Sequence, residues 1–237
     1  MLRAGCVTFP VAHSTYFGAL DTLEAGQPKG ALPRPETAER WRKEAPRDFV
    51  FSVPCAWAVT DGRFRKTGEV LRGWERTAEV AAAMGARIVV FETPAVFYPN
   101  ADHLRDLYAF FRGINRNDML MAWQPSRGWE DALLKRVCSD LRLLHAVDPL
   151  VREPVHGAVN YFRLRGGGPG RKPSRGHRYS DEELKRIAAA AGGKPTYAYF
   201  LTADSWDDAN RLMKMTRYLP PRCSPPRGGG LRFGGSR

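Results

Sequence analysis

Short apolar runs rich in β-branched and aromatic residues alternate along the chain with longer stretches whose apolar positions recur at helical spacing. Two of the runs read Phe-Val-Phe-Ser-Val and Ile-Val-Val-Phe. Runs with so little polar alternation fit strands buried on both faces of a parallel sheet. The predicted strands are Leu2–Thr8, Asp21–Ala25, Phe49–Val53, Arg87–Glu92, Met119–Gln124, Leu143–Asp148, Val159–Leu164 and Thr196–Leu201. The predicted helices start with Pro35–Glu44, which has Ala38 and Trp41 on one face, and Thr67–Met84, which closes at Gly85. Ala101–Arg112 and Glu130–Leu141 follow. Asp181–Ala191 is entered through Ser180 and Glu183, which have the spacing of a capping box. Ser205–Tyr218 is stopped by Pro220 and Pro221.

Eight strands alternating with helices predict an α/β chain, a single TIM-type (β/α)8 barrel, with an open doubly wound sheet as the alternative. A length of 237 residues suits one such barrel. Helical signal is thin over Ala12–Leu32, so some early crossovers are expected to be abbreviated. The barrel domain is assigned to residues 1–219. Residues 220–237, rich in Gly, Pro and Arg, are assigned to a basic tail with too little apolar surface to pack.

In barrels of this type the reactive groups sit at the C-terminal ends of the strands. That rule selects Glu24, Glu92 and Asp148, with Arg163 on the seventh strand, as candidate catalytic residues. Gln124 ends the fifth strand and Arg127 lies close behind it. Three carboxylates at one mouth could share acid–base work or hold a divalent metal, and they could equally pair with arginines. The histidines show no metal-binding spacing, and His145, inside the sixth strand, reads as a core histidine.

Charge changes the picture. The net charge is +12, and from residue 154 to 180 there are six basic residues and no acid. That stretch contains the loop Arg165-Gly-Gly-Gly-Pro-Gly-Arg-Lys-Pro-Ser-Arg-Gly-His-Arg-Tyr179. Lys172 is followed by Pro173, so the loop is not a Walker A motif. It follows the seventh strand, where barrels often bind phosphate on glycine-rich backbone. Arg165, Arg171, Lys172, Arg175, Arg178 and Tyr179 are the candidate anion-binding residues, and the bland alternative is a loop of solvated charges. Tyr179, Trp206, Trp129 and Phe233 lie near basic residues along the chain and are candidates for stacking on bases.

The four cysteines are far apart and form no zinc motif, so they read as reduced thiols; Cys55, after a strand, reads as a small buried hydrophobe before a nucleophile. No apolar run approaches the ~18 residues of a membrane helix. A cytoplasmic protein without membrane contact is expected.

Several segments together resemble the YecE-like family, domain of unknown function seventy-two. They are Glu36-Thr-Ala-Glu-Arg-Trp41, Ala45-Pro-Arg-Asp-Phe-Val-Phe-Ser52 with Val59-Thr60, Tyr161-Phe-Arg-Leu-Arg-Gly166, Tyr179-Ser-Asp-Glu-Glu-Leu184 and Tyr197-Ala-Tyr-Phe200. Phe91-Glu-Thr-Pro94 and Val147-Asp-Pro149 agree less specifically. The resemblance runs in order through nearly the whole chain. It implies a TIM-type barrel and carries no established activity. Against the family pattern, Arg165 stands for a histidine, Asp61 for a histidine and Glu92 for a glutamine. Gln124-Pro-Ser-Arg127 replaces a glutamate–arginine pair, and Thr202 falls where an asparagine is usual, while Glu24 and Arg163 are retained.

Three functions follow as expectations. The first is a hydrolase-like enzyme acting on a phosphorylated or nucleic-acid substrate at the strand ends. The second is a non-catalytic nucleic-acid-binding module that uses the basic loop and tail. The third is a degenerate barrel serving as a protein-interaction scaffold.

Overall fold

The computed structural model describes residues 1–26, 31–167 and 172–217. The elements are β1 (Leu2–Cys6), α1 (His13–Ala19), β2 (Thr22–Glu24), α2 (Pro35–Glu44), β3 (Val50–Pro54), α3 (Trp57–Asp61), α4 (Gly68–Met84) and β4 (Ile88–Glu92). They continue with α5 (Ala101–Gly113), β5 (Leu120–Gln124), α6 (Asp131–Asp140), β6 (Leu143–Val147), β7 (Asn160–Leu164), α7 (Asp181–Ala190), β8 (Thr196–Phe200) and α8 (Ser205–Arg217).

The eight strands pair in parallel in the order β1-β8-β7-β6-β5-β4-β3-β2. A parallel bridge between Val7 and Glu24 joins the two outer strands, and the Thr8 N–H donates to the Glu24 carbonyl at 3.2 Å. The sheet therefore curls into a barrel and is not an open sheet. Gly5 permits this closure, because a Cβ there would stand 2.2 Å from the Thr22 carbonyl oxygen of β2.

Alternation along the strands separates two cores. Ile88, Val90, Ala122, Leu144, Ala146, Tyr161 and Tyr199 cluster inside the barrel. Their neighbours along the strands, such as Val89, Phe91, Trp123, Phe162 and Phe200, pack outward with the helices. Both faces of each strand are thus buried, which is why the strands read as continuous apolar runs.

α1 and α3 were not among the predicted helices. α1 has seven residues, no side-chain cap and one buried residue, Tyr16; α3 has five residues. Neither is long enough to display a helical period. The first crossover is accordingly short. The β6–β7 crossover carries no helix at all, in keeping with Pro149, Pro154 and Gly157 within it.

Candidate active site at the C-terminal mouth

Strand phase decides what reaches the mouth. Val90, Ala122, Ala146 and Tyr161 point inward, so two residues further on Glu92, Gln124, Asp148 and Arg163 do the same. Arg163 is the hub. Its Nε donates to Glu24 Oε2 at 3.0 Å and its Nη2 to Glu24 Oε1 at 2.8 Å. Its Nη1 donates to Glu92 Oε2 and to Gln124 Oε1, both at 2.6 Å. Tyr161 completes the base of the cluster, donating to Glu24 Oε2 at 2.8 Å while sharing a 2.9 Å contact with Ser52 Oγ.

Glu24 is fully buried, and both its oxygens are taken by neighbours. Burial works against the charge of Arg163, but Glu24 and Glu92 outweigh it and hold the guanidinium protonated more firmly than usual. Burial likewise opposes ionisation of Glu92, yet Arg163 and Arg165 prevail and keep its carboxyl below the ordinary range. Arg165 meets the other Glu92 oxygen at 2.5 Å from the solvent side, with 38% of its side chain exposed. Glu24 and Arg163 therefore form the floor, and Glu92 and Arg165 form the reachable layer.

Asp148 lies just past β6. Its Oδ1 accepts from the Leu150 N–H at 3.0 Å and its Oδ2 from the Arg165 N–H at 3.4 Å. Burial raises its pKa, and these backbone donors only partly oppose the shift. A cleft of about 490 Å³ opens here, lined among others by Glu92, Gln124, Arg127, Asp148, Arg165 and Pro173. The basic loop thus stands at the same end as the acids.

Gly166, at φ +70, turns the chain at the base of that loop, where a Cβ would stand 2.2 Å from the Ser174 carbonyl oxygen. The Gly166 N–H donates to the Tyr179 hydroxyl at 2.8 Å. The Ala203 N–H, beyond β8, donates to the Arg175 carbonyl at 2.7 Å. The capping box at Ser180 and Glu183 is present.

A family model described as "Protein of unknown function DUF72" matches residues 14–227. The chain belongs to this family. A DUF72 family crystal structure from Enterococcus faecalis superposes with a TM-score of 0.75 at 14% identity, over 92% of this chain and 98% of that one. Another from Thermotoga maritima gives 0.71 at 15% identity, over 92% and 99%. Endonuclease IV from Thermus thermophilus gives 0.56 at 13% identity, over 91% and 98%. At these identities the superpositions show the fold. No curated protein matches the chain.

In this DUF72 chain Glu92 and Arg165, which the resemblance set apart from the family pattern, are ion-paired with each other. Asp61, set apart in the same way, ends α3 on the surface. The carboxylates do not suit a metal. A cation brought to Glu24 or Glu92 would face the Arg163 guanidinium, and among the described residues no three His, Cys, Asp or Glu side chains converge.

Other expected roles are redistributed by burial. Tyr179 is 1% exposed; its hydroxyl anchors Gly166 and its ring packs edge-on against Phe200, so it braces the loop and presents no face to an anion or a base. Trp129 is buried, with Nε1 donating to the Phe97 carbonyl at 3.1 Å. Trp206 packs partly buried against the core. Arg171 and Phe233 lie outside the described residues. Lys172, Arg175, Arg178 and Arg127 are exposed and make no ion pair among the described residues. Cys55 is buried, and burial pushes its thiol up to about 12, so it is no nucleophile. His145 is a core histidine whose Nδ1 accepts from the Val155 N–H at 3.1 Å, and burial lowers it to about 4.

Sequence reasoning missed Gln124 as a partner of Arg163 and Tyr161 as a partner of Glu24, and it missed the exposed rings Trp57 and Tyr98. The signal for Tyr161 was its position two residues before Arg163, in the same strand phase.

Proposed function

We propose that this barrel is a hydrolase-like enzyme acting on a phosphate-bearing substrate, a phosphorylated compound or a nucleic acid, in the cleft at the C-terminal strand ends. One observation carries the reading. Arg165 is half-exposed, held by a single carboxylate that Arg163 grips from below, and it borders Asp148, whose proton affinity is raised. A phosphate oxygen entering the cleft can take the outer edge of Arg165 while Arg163 keeps Glu92 in place. Arg127 and the basic loop supply further positive charge around it. The likeness in fold to an endonuclease favours the nucleic-acid branch.

In this reading a water oxygen bonds to phosphorus and the bond to the leaving oxygen breaks. Asp148 takes the proton from the water and returns it to the leaving oxygen. Glu24, Arg163 and Tyr161 position the two reachable groups and touch no substrate. No helix among the described residues is long and apolar enough to cross a membrane. The described cysteines are free and buried, which favours the cytoplasm.

Turnover of phosphomonoester and phosphodiester model compounds and of labelled oligonucleotides tests this. Asp148→Asn is expected to slow turnover by roughly a hundred-fold or more while substrate binding persists. Binding without turnover by the unaltered chain selects the non-catalytic binding module. Neither binding nor turnover removes both readings and leaves the scaffold.

A further inference from the structure

We infer that the mouth takes a nucleic-acid strand with unpaired bases, which stack on Trp57 and Tyr98 while the phosphates meet the rim cations. The inference rests on the phosphate reading of the same cleft and names its substrate class.

Large exposed apolar side chains gather at this end of the barrel. Trp57 (55% exposed), Val96 (54%), Tyr98 (55%) and Val151 (54%) all follow the C-terminal ends of β3, β4 or β6. The others among the described residues, Met1, Leu71 and Leu120, fall at two strand starts and on α4. Trp57 opens α3 directly beyond β3. Tyr98 belongs to the β4–α5 loop, whose Thr93, Pro94 and Ala95 line the cleft. β3 and β4 are neighbours, so both rings belong to one sector of the rim.

The β4–α5 loop that carries Tyr98 is braced by its neighbours. Ser126 Oγ donates to the Phe97 carbonyl at 2.6 Å, and Trp129 Nε1 donates to the same oxygen. The His103 ring meets the Tyr98 carbonyl through Nδ1 at 2.7 Å and packs edge-on to the Tyr98 ring at 5.2 Å. Arg127 follows Ser126, so a cation flanks the apolar sector. On the strand-seven side, Lys172 adjoins Pro173 of the cleft lining, and Arg175 and Arg178 are exposed further along the same loop.

Rings that accept any base face, beside cations that track a backbone, are the physical pattern of single-strand binding. A duplex keeps its base faces stacked internally and would offer this rim phosphates alone. An apolar protein partner would have to bury four cations that have no counter-charge among the described residues.

The experiment is fluorescence anisotropy at low salt with the full chain and three labelled probes. These are an oligothymidylate, a strand of equal length made of abasic sites, and the thymidylate paired to its complement. The intact single strand is expected to bind roughly five- to a hundred-fold more tightly than the abasic strand. Trp57→Ala and Tyr98→Ala should each remove part of that difference and leave abasic-strand binding unchanged. Both rings are exposed, so the variants should fold, and thermal melting checks this. Equal binding of the intact and abasic strands, or tighter binding of the duplex, overturns the stacking inference and leaves the phosphate reading standing. No binding of any probe, with phosphomonoester turnover retained, overturns the nucleic-acid substrate alone. If turnover is absent too, the phosphate reading falls with it.

Discussion

Arg163 is a buried cation tied to one buried and one reachable carboxylate. Such a pair is weak support for stability, because its attraction largely repays the loss of hydration, but breaking it strands a charge in the barrel. Arg163→Met is therefore expected to cost about 3–5 kcal/mol in urea unfolding. Adding Glu24→Gln should recover part of that loss, since the amide removes the stranded charge; a double variant as unstable as the sum of the singles would refute the coupling. His145 makes a different contribution. Its folded-state pKa is depressed from 6.5 to about 4 by burial, with Arg152 adding to the shift. The folded state thus binds a proton less readily than the unfolded chain. The associated stability is fully present above pH 6.5 and is lost as pH falls toward 4, by about 3 kcal/mol. Urea midpoints measured between those limits should fall less steeply for His145→Asn than for the unaltered chain, and parallel curves would show that this imidazole is not the group that titrates.

At the scale of elements, boundaries were legible wherever a run was long enough to show its period. α2 falls on its predicted residues, and the strands differ from prediction by a residue or two at their ends. α1 and α3 escaped because one or two turns contain too few apolar positions to define a face. The site was legible to the same depth. Parallel strands in a barrel deliver their last inward residues to one opening, so Glu92, Asp148, Arg163 and Arg165 could be placed at the mouth from strand ends alone. Which side chains pair there could not be read, because pairing depends on registers between strands distant in sequence: Glu24 and Arg163 are separated by 139 residues. Exposure was the least legible property. Tyr179 stands among basic residues along the chain, yet its ring is sealed under the loop it anchors. Trp57, with an acid as its closest charged residue in sequence, is the ring that faces water.

For the whole molecule the question is which part of its positive charge touches the ligand. The net charge of +12 comes largely from two acid-free segments, residues 154–180 and 209–237, and only the first borders the cleft among the described residues. A diffuse excess of charge and a defined set of contacts differ in salt dependence. Each phosphate neutralised on a single strand releases condensed counterions and contributes about −0.7 to the slope of log affinity against log salt. Arg127, Lys172, Arg175 and Arg178 together would supply about −3. Replacing all four by alanine should flatten the slope by roughly that amount. Removing residues 220–237, which hold Arg222, Arg227, Arg232 and Arg237, should leave most of the slope in place. The reverse result, a slope lost with the tail and untouched at the mouth, would separate binding from the cleft. Asp148 and Arg165 would then have no claim on a nucleic-acid substrate, because the strand would be held where no reactive group can reach it.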